Sequence, residues 1–153
     1  MENEKIVNVL NALIVINNDR IEGYETAAAE TDETDLKDLF GRLSQTSKMC
    51  KTELVEEVHK LGGTPEEGTR VTGKFFRVWM DVKAFLTGKD RVSILKSCEY
   101  GENVAAETYK DAIANNLHAL TSQEQTMLNA QASLLKTDLN KVIALRDALA
   151  VLA

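Results

Sequence analysis

Four long stretches of this sequence repeat apolar side chains every three or four residues, and residues at such steps share one face of an α-helix. With one proline and eight glycines in 153 residues, the chain has too few turn residues for the many short strands of a sandwich or barrel. We therefore predict an all-α protein. Its four long helices should cover about Asn3–Glu30, Asp35–Leu61, the segment from Asp90 to just before Asn115, and Thr121 to near the C-terminus.

The breaks between these stretches predict two antiparallel helical hairpins. A tight turn at residues 31–34 joins the first two helices, and Gly62-Gly63 ends the second. A capping box, Thr121-Ser122-Gln123-Glu124, opens the fourth. The roughly 27 residues between the hairpins can travel the length of a bundle and start helix 3 parallel to helix 2. We expect a single domain over residues 1–153 with the fold of a ferritin-like four-helix bundle.

The long connection should contain helical structure of its own. Thr64-Pro65-Glu66-Glu67 has the pattern of a capping box with proline at the first helical position, which predicts a short helical turn. Apolar spacing predicts an extra helix in the crossover over about residues 72–87.

The crossover also stands out by its charge. From Arg70 to Arg91 it carries six Lys or Arg against two Asp, a local charge of +4, whereas the rest of the chain sums to −10. The favoured interpretation is a helix that lies across the bundle and offsets its acidic helices. The alternative is a membrane-surface or partner-docking helix. The residues of this interaction surface would be Phe75, Arg77, Trp79 and Lys83.

Charge and cysteine content limit the partners and the compartment. A net charge of −6 argues against nucleic-acid binding, which depends on Lys and Arg that neutralise phosphates. The acidic start of the chain, and the polar Asn8 and Asn11 in its first apolar stretch, indicate neither an export signal nor a membrane span. Cys50 and Cys98 lie inside apolar helical stretches and are expected to be buried thiols in a reducing cytoplasm.

Few metal-binding groups are expected inside the bundle. A di-iron bundle uses about four carboxylates and two histidines that converge in the core. Glu56 and His59 form the one Glu-x-x-His pair, but helical rotation points both at solvent, and Glu53 and Glu99 are flanking. Glu102 is the carboxylate that faces inward. We expect no cofactor, and the alternative is a divalent metal ion held by Glu53, Glu99 and Glu102, or by Glu56 and His59.

The inward carboxylate of Glu102 needs a partner, because an unpaired buried charge costs several kcal/mol. Counting along the helices places Arg20 at the same height and facing inward. We predict an internal ion pair between Arg20 and Glu102. The alternative is that both side chains extend outward between the helices. The other inward polar groups are Asn17, Gln131 and Tyr24, expected to satisfy the remaining hydrogen bonds, and Asp138, for which the sequence names no partner.

Six segments of the chain carry a resemblance to a known family: residues 16–25 (INNDRIEGYE), 61–63 (LGG), 79–83 (WMDVK), 86–88 (LTG), 98–102 (CEYGE) and 145–147 (LRD). Together they resemble a bacterial family of ferritin-like four-helix-bundle proteins grouped as a domain of unknown function. The resemblance covers nearly the whole chain, and it implies the fold, a bacterial source and a link to stress response in some members, with no established activity. Leu139 is a departure, since relatives often have histidine there.

The sequence contains no Gly-rich phosphate loop, no Ser-His-Asp order and no reactive-cysteine context, so nothing indicates an enzyme. The leading hypothesis is a non-enzymatic bundle with a structural or interaction role, associated with stress by resemblance. The alternatives are an oxidative-stress protein that binds iron, manganese or zinc, and a membrane-surface or docking module acting through the crossover. Because long amphipathic helices often pair between chains, a homo-oligomer or a protein partner stays open.

Overall fold

The computed structural model describes residues 2–69 and 91–152, and four long helices account for most of them. No strand occurs in these two stretches, so the prediction of an all-α chain with four long helices is confirmed. The crossover helix predicted over residues 72–87 lies outside the described residues. The helices are α1 (Glu2–Glu30), α2 (Thr34–Lys60), α3 (Arg91–Ala114) and α4 (Ser122–Leu152).

The helices pack as two hairpins placed side by side. α1 packs on α2, α3 packs on α4, and the hairpins meet where α1 contacts α3 and α2 contacts α4. Asn17 of α1 bonds to Tyr109 of α3, and Arg20, one turn further along α1, bonds to Glu102, two turns earlier on α3. Because the residue numbers run in opposite directions along the two helices, α1 and α3 are antiparallel.

Helices α2 and α3 begin at the same end of the bundle. Arg91, the first residue of α3, forms ion pairs with Glu33 and Asp35 at the start of α2. Both helices are antiparallel to α1, so they run parallel to each other. The end of α2 and the start of α3 therefore lie at opposite ends of the bundle.

The hydrophobic core consists of two clusters separated by polar side chains. One cluster lies toward the start of α1 and includes Leu10, Leu54 and Tyr109. The other lies toward the end of α1 and contains Tyr24 and Phe40, whose rings stack with centroids 5.9 Å apart. Fully burying each large apolar side chain stabilises the fold by about 1.5–3 kcal/mol. The polar residues thus interrupt the part of the bundle that contributes most to stability.

Local signals in the sequence set two helix ends. The capping box of α4 is confirmed: the Thr121 amide donates to Glu124 Oε1 at 2.9 Å, and the Glu124 amide donates to Thr121 Oγ1 at 3.1 Å. At the end of α2, Gly62 has a φ of 80°, a left-handed conformation that glycine adopts without strain. The Gly63 amide then donates to the Val58 carbonyl at 3.0 Å and closes the helix.

The short helical turn predicted from Thr64 onward is wrong, because residues 63–69 are irregular. Side chains of α1 hold this segment instead. Asn11 donates to the Thr64 carbonyl at 3.1 Å and accepts from the Glu66 amide at 2.9 Å, and Asn18 donates to the Gly68 carbonyl at 3.0 Å. The backbone groups that a helical turn would pair locally are thus partly bound by α1, and the connection starts along that helix.

Two leucines of α4 point outward, although each shares the apolar helical pattern of its neighbours. Leu134 is 41% exposed and Leu145 is 45% exposed, whereas Leu135 and Val142 are buried. Neighbouring residues of a helix point about 100° apart, so Leu134 and Leu135 cannot both face one core. α4 carries apolar residues in more directions than its packing needs.

Candidate functional site

A central polar cluster lies between the two halves of the core, and each helix contributes one residue to it. The cluster consists of Arg20 from α1, Ser47 from α2, Glu102 from α3 and Asp138 from α4. Arg20, Ser47 and Glu102 are fully buried, and Asp138 is 6% exposed. These side chains face inward because each occupies the apolar stripe of its helix.

The guanidinium of Arg20 binds three side chains in this cluster. Its Nε donates to Glu102 Oε2 at 2.8 Å and its Nη2 donates to Glu102 Oε1 at 2.6 Å, a bidentate arrangement. Nη2 also donates to Asp138 Oδ2 at 3.2 Å, and Nη1 donates to the Ser47 hydroxyl. Bidentate arginine–carboxylate pairs are among the stronger hydrogen-bonded contacts in proteins. The cluster therefore fixes the position of the arginine through all three other helices.

Tyr24 covers one face of the same guanidinium. Its ring centroid lies 5.6 Å from Cζ of Arg20, within the range of a cation–π contact. The ring is itself buried and stacks on Phe40. Tyr24 thus joins the central polar cluster to one of the apolar clusters.

For Glu102 and for Arg20 alike, burial and the charge of the other residue shift the pKa in opposite directions. Burial raises the pKa of Glu102, and the adjacent Arg20 charge counteracts that rise. Burial lowers the pKa of Arg20, but the negative charge and the hydrogen bond of Glu102 outweigh it, so the net direction is upward. One guanidinium serves two carboxylates, which leaves one excess negative charge when all three groups are ionised. The arginine therefore stays charged.

A second polar network lies beside the cluster and includes Asn17 and Gln131. Asn17 Nδ2 donates to the Tyr109 hydroxyl at 2.8 Å, and that hydroxyl donates to Gln131 Oε1 at 2.8 Å. Gln131 Nε2 donates in turn to the Cys50 carbonyl at 3.2 Å and to Glu53 Oε1 at 3.0 Å. Asn17 and Gln131 were expected to complete the bonds of the ion pair. In the structure their hydrogen bonds go to Tyr109 and its surroundings.

The carboxylates considered as metal ligands are spread along the bundle. Glu53 contacts Gln131, and Glu99 forms an ion pair with Arg146. These two partners are 15 residues apart on α4, a distance of about 22 Å at 1.5 Å per residue. Glu102 lies between them and is bound by Arg20. The structure therefore does not bring the three carboxylates of the metal alternative together.

The other sequence-predicted positions lie at the surface or outside the described residues. Glu56 and His59 are exposed on α2. Within residues 2–69 and 91–152, no group of three or more His, Cys, Asp or Glu side chains is arranged to hold a metal ion. The interaction surface proposed for the crossover (Phe75, Arg77, Trp79 and Lys83) lies outside the described residues. None of the four described helices carries an apolar stretch of membrane-spanning length.

Sequence reasoning missed two of the contacts that define these networks. Asp138 was placed inward without a partner, and the structure pairs it with Arg20. Tyr109 was not among the inward polar groups predicted from the sequence, although its hydroxyl links Asn17 to Gln131. The available signal was that a tyrosine on an inner stripe must find a hydrogen-bond partner for its hydroxyl.

The comparisons with known proteins identify a family without a described activity. A protein-family model described as a domain of unknown function (DUF2383) matches residues 5–115. This range includes Arg20, Ser47 and Glu102, and it ends before α4 and Asp138. No curated protein is significantly similar to the chain.

Proposed function

The chain belongs to the DUF2383 family, and we propose that it is a non-enzymatic, ferritin-like bundle with a structural or interaction role. The observation that carries the proposal is the buried guanidinium of Arg20, bound to Glu102 and Asp138 at the centre of the four helices. Metal-binding bundles direct inward carboxylates at a cation in this position. Here the positive charge that these carboxylates bind is part of the chain.

The ferritin-like description is supported by the arrangement of the helices. Every pair of packed neighbours is antiparallel, α2 runs parallel to α3, and one long connection joins them, which is the topology of bundles with a single crossover. We propose that residues 1–153 form one such domain. Two buried free cysteines, Cys50 and Cys98, support a reducing compartment such as the cytoplasm. The bacterial source and the association with stress response depend on the sequence resemblance.

The metal content of the purified protein tests this proposal. Protein prepared without chelator should contain iron, manganese and zinc well below one equivalent per chain, and added Mn²⁺ or Zn²⁺ should leave its thermal unfolding temperature unchanged. Glu102→Gln should alter neither result, because Glu102 already binds Arg20. The matched control is Glu25→Gln, which removes an exposed carboxylate paired with Lys48.

The opposite outcome would favour the alternative function. Stoichiometric metal in wild-type protein that disappears in Glu102→Gln, but not in Glu25→Gln, would contradict the proposal. It would support a metal-binding oxidative-stress protein, in which the inward carboxylate serves as a ligand.

A further inference from the structure

The outer face of the hairpin of α3 and α4 carries a groove of about 560 Å³ with a mainly apolar lining. Its apolar lining residues include the small Ala114 and Ala132 and the larger Ile113, Leu117 and Leu139. Leu117, in the turn that follows α3, is 48% exposed. Apolar surface of this kind is typical of sites that another protein covers.

Along this groove α3 has a second regular stripe, which points away from the core. Its five positions are spaced 3, 4, 3 and 4 residues apart, the heptad spacing by which helices pair. They are all exposed, as is Leu117 in the turn after α3, although Tyr100 and Leu117 are large and apolar. The outer stripe consists of Tyr100, Asn103, Glu107, Lys110 and Ala114.

Four positions of the outer stripe are symmetric about the midpoint between Glu107 and Lys110. When a second copy of α3 is laid against it in the opposite direction, residues whose numbers sum to 217 face each other. Asn103 then meets Ala114 of the other copy, Glu107 meets Lys110, and Tyr100 lies opposite the turn that contains Leu117. Among the described ion pairs none involves Glu107 or Lys110, so both charges are available to a second copy.

We propose that this face is a homodimer interface, in which the outer stripe of α3 packs antiparallel on the same stripe of a second copy. A twofold axis makes every contact occur twice, so the two oppositely charged residues form two reciprocal ion pairs. This inference gives the proposed interaction role a partner. The homodimer is tested by measuring self-association, whereas the proposed function is tested by measuring metal content. Each can therefore be contradicted without the other.

The size of the face predicts a weak dimer. From Tyr100 to Leu117 of the following turn the face is about 26 Å long, and α3 with α4 is about 20 Å wide, so each copy would cover on the order of 500 Å². The total is near the lower limit of specific interfaces. Self-association should therefore appear at micromolar to millimolar concentrations.

Charge exchange across the twofold axis provides the test. Glu107→Lys places two lysines opposite each other, and Lys110→Glu places two glutamates opposite each other, so each variant should associate at least about tenfold more weakly than wild type. A 1:1 mixture of the two variants should form a heterodimer, and the double variant E107K/K110E should regain self-association. The control is Lys37→Glu, which reverses an exposed charge on α2.

Sedimentation equilibrium at protein concentrations from about 1 µM to 1 mM measures the dissociation constant of each dimer. Far-ultraviolet circular dichroism verifies that each variant is folded. A wild-type protein that is monomeric throughout this range would overturn the inference. It would also be overturned if the single variants associate like wild type, or if the E107K/K110E variant remains monomeric while wild type dimerises.

Discussion

Replacing Arg20 by methionine should destabilise the protein by about 3–5 kcal/mol, since removing one partner of a buried ion pair leaves an uncompensated charge. Methionine keeps an unbranched chain of moderate length but removes every hydrogen-bond donor of the guanidinium. Both oxygens of the fully buried Glu102 and the nearby oxygen of Asp138 then lose this donor. Ser47 loses its contact with Arg20 as well.

Urea unfolding followed by circular dichroism measures this loss. With an m-value of about 2 kcal/mol per molar urea, the midpoint should fall by about 1.5–2.5 M. Lys48→Met is the matched control, because it makes the same kind of change in a pair with Glu25 whose two side chains are 48% and 51% exposed. Exposed pairs contribute at most about 1 kcal/mol. An Arg20→Met loss no larger than that of Lys48→Met would refute the reasoning.

A triple variant separates uncompensated charge from lost packing. In R20M/E102L/D138L no charged member of the central polar cluster remains, and apolar side chains fill its space. Buried ion networks replaced in this way are often neutral or more stable by about 1–4 kcal/mol. The triple variant should therefore recover most of the stability that Arg20→Met loses. If it is as unstable as the single variant, packing rather than charge explains the loss.

Two further predictions concern ionisable groups. Burial raises the pKa of Glu102 above its ordinary 4.5, so the stability it contributes is fully present below that pH and is lost as the pH rises through the raised value. The unfolding free energy of wild type minus that of Glu102→Gln should therefore fall with increasing pH in urea titrations, and a difference that grows with pH would be inconsistent with the shift. Burial also raises the pKa of Cys50 to about 11, and Cys98 is buried too. At pH 8 about one Cys50 thiol in a thousand is a thiolate, so a thiol reagent should label the native protein at least about a hundredfold more slowly than the urea-unfolded chain; equal rates would contradict this expectation.

The sequence predicts the helices and the position of the buried charge better than it predicts hydrogen-bond partners. Helical rotation alone predicts that Arg20 and Glu102 face inward, and counting residues from the ends of the helices places them at the same height. In the structure the two side chains are in contact. The same rotation places Asp138 inward. Its contact with Arg20 depends on the distance between α1 and α4, which lie diagonally, and periodicity within one helix contains no such distance.

The irregular segment after α2 shows a second limit. The proline and glutamates that follow Thr64 are a local signal for a helical turn. The side-chain amide of Asn11, 53 residues earlier, donates to the Thr64 carbonyl and so competes with formation of that turn. Local patterns cannot include a competitor so far away in the chain. The exposed Leu134 shows a third limit, because apolar residues of α4 outnumber the positions that its neighbours cover.

Because Arg20, Ser47, Glu102 and Asp138 come from four different helices, neither half of the chain can neutralise its own ionic residue. A fragment with only α1 and α2 would retain an orphan cation, and one with only α3 and α4 would retain two anions facing hydrocarbon. Unfolding of α1 alone would leave the same two anions without their cation. The protein should accordingly melt in one cooperative step, and fragments cut between the hairpins should be stable only when they recombine.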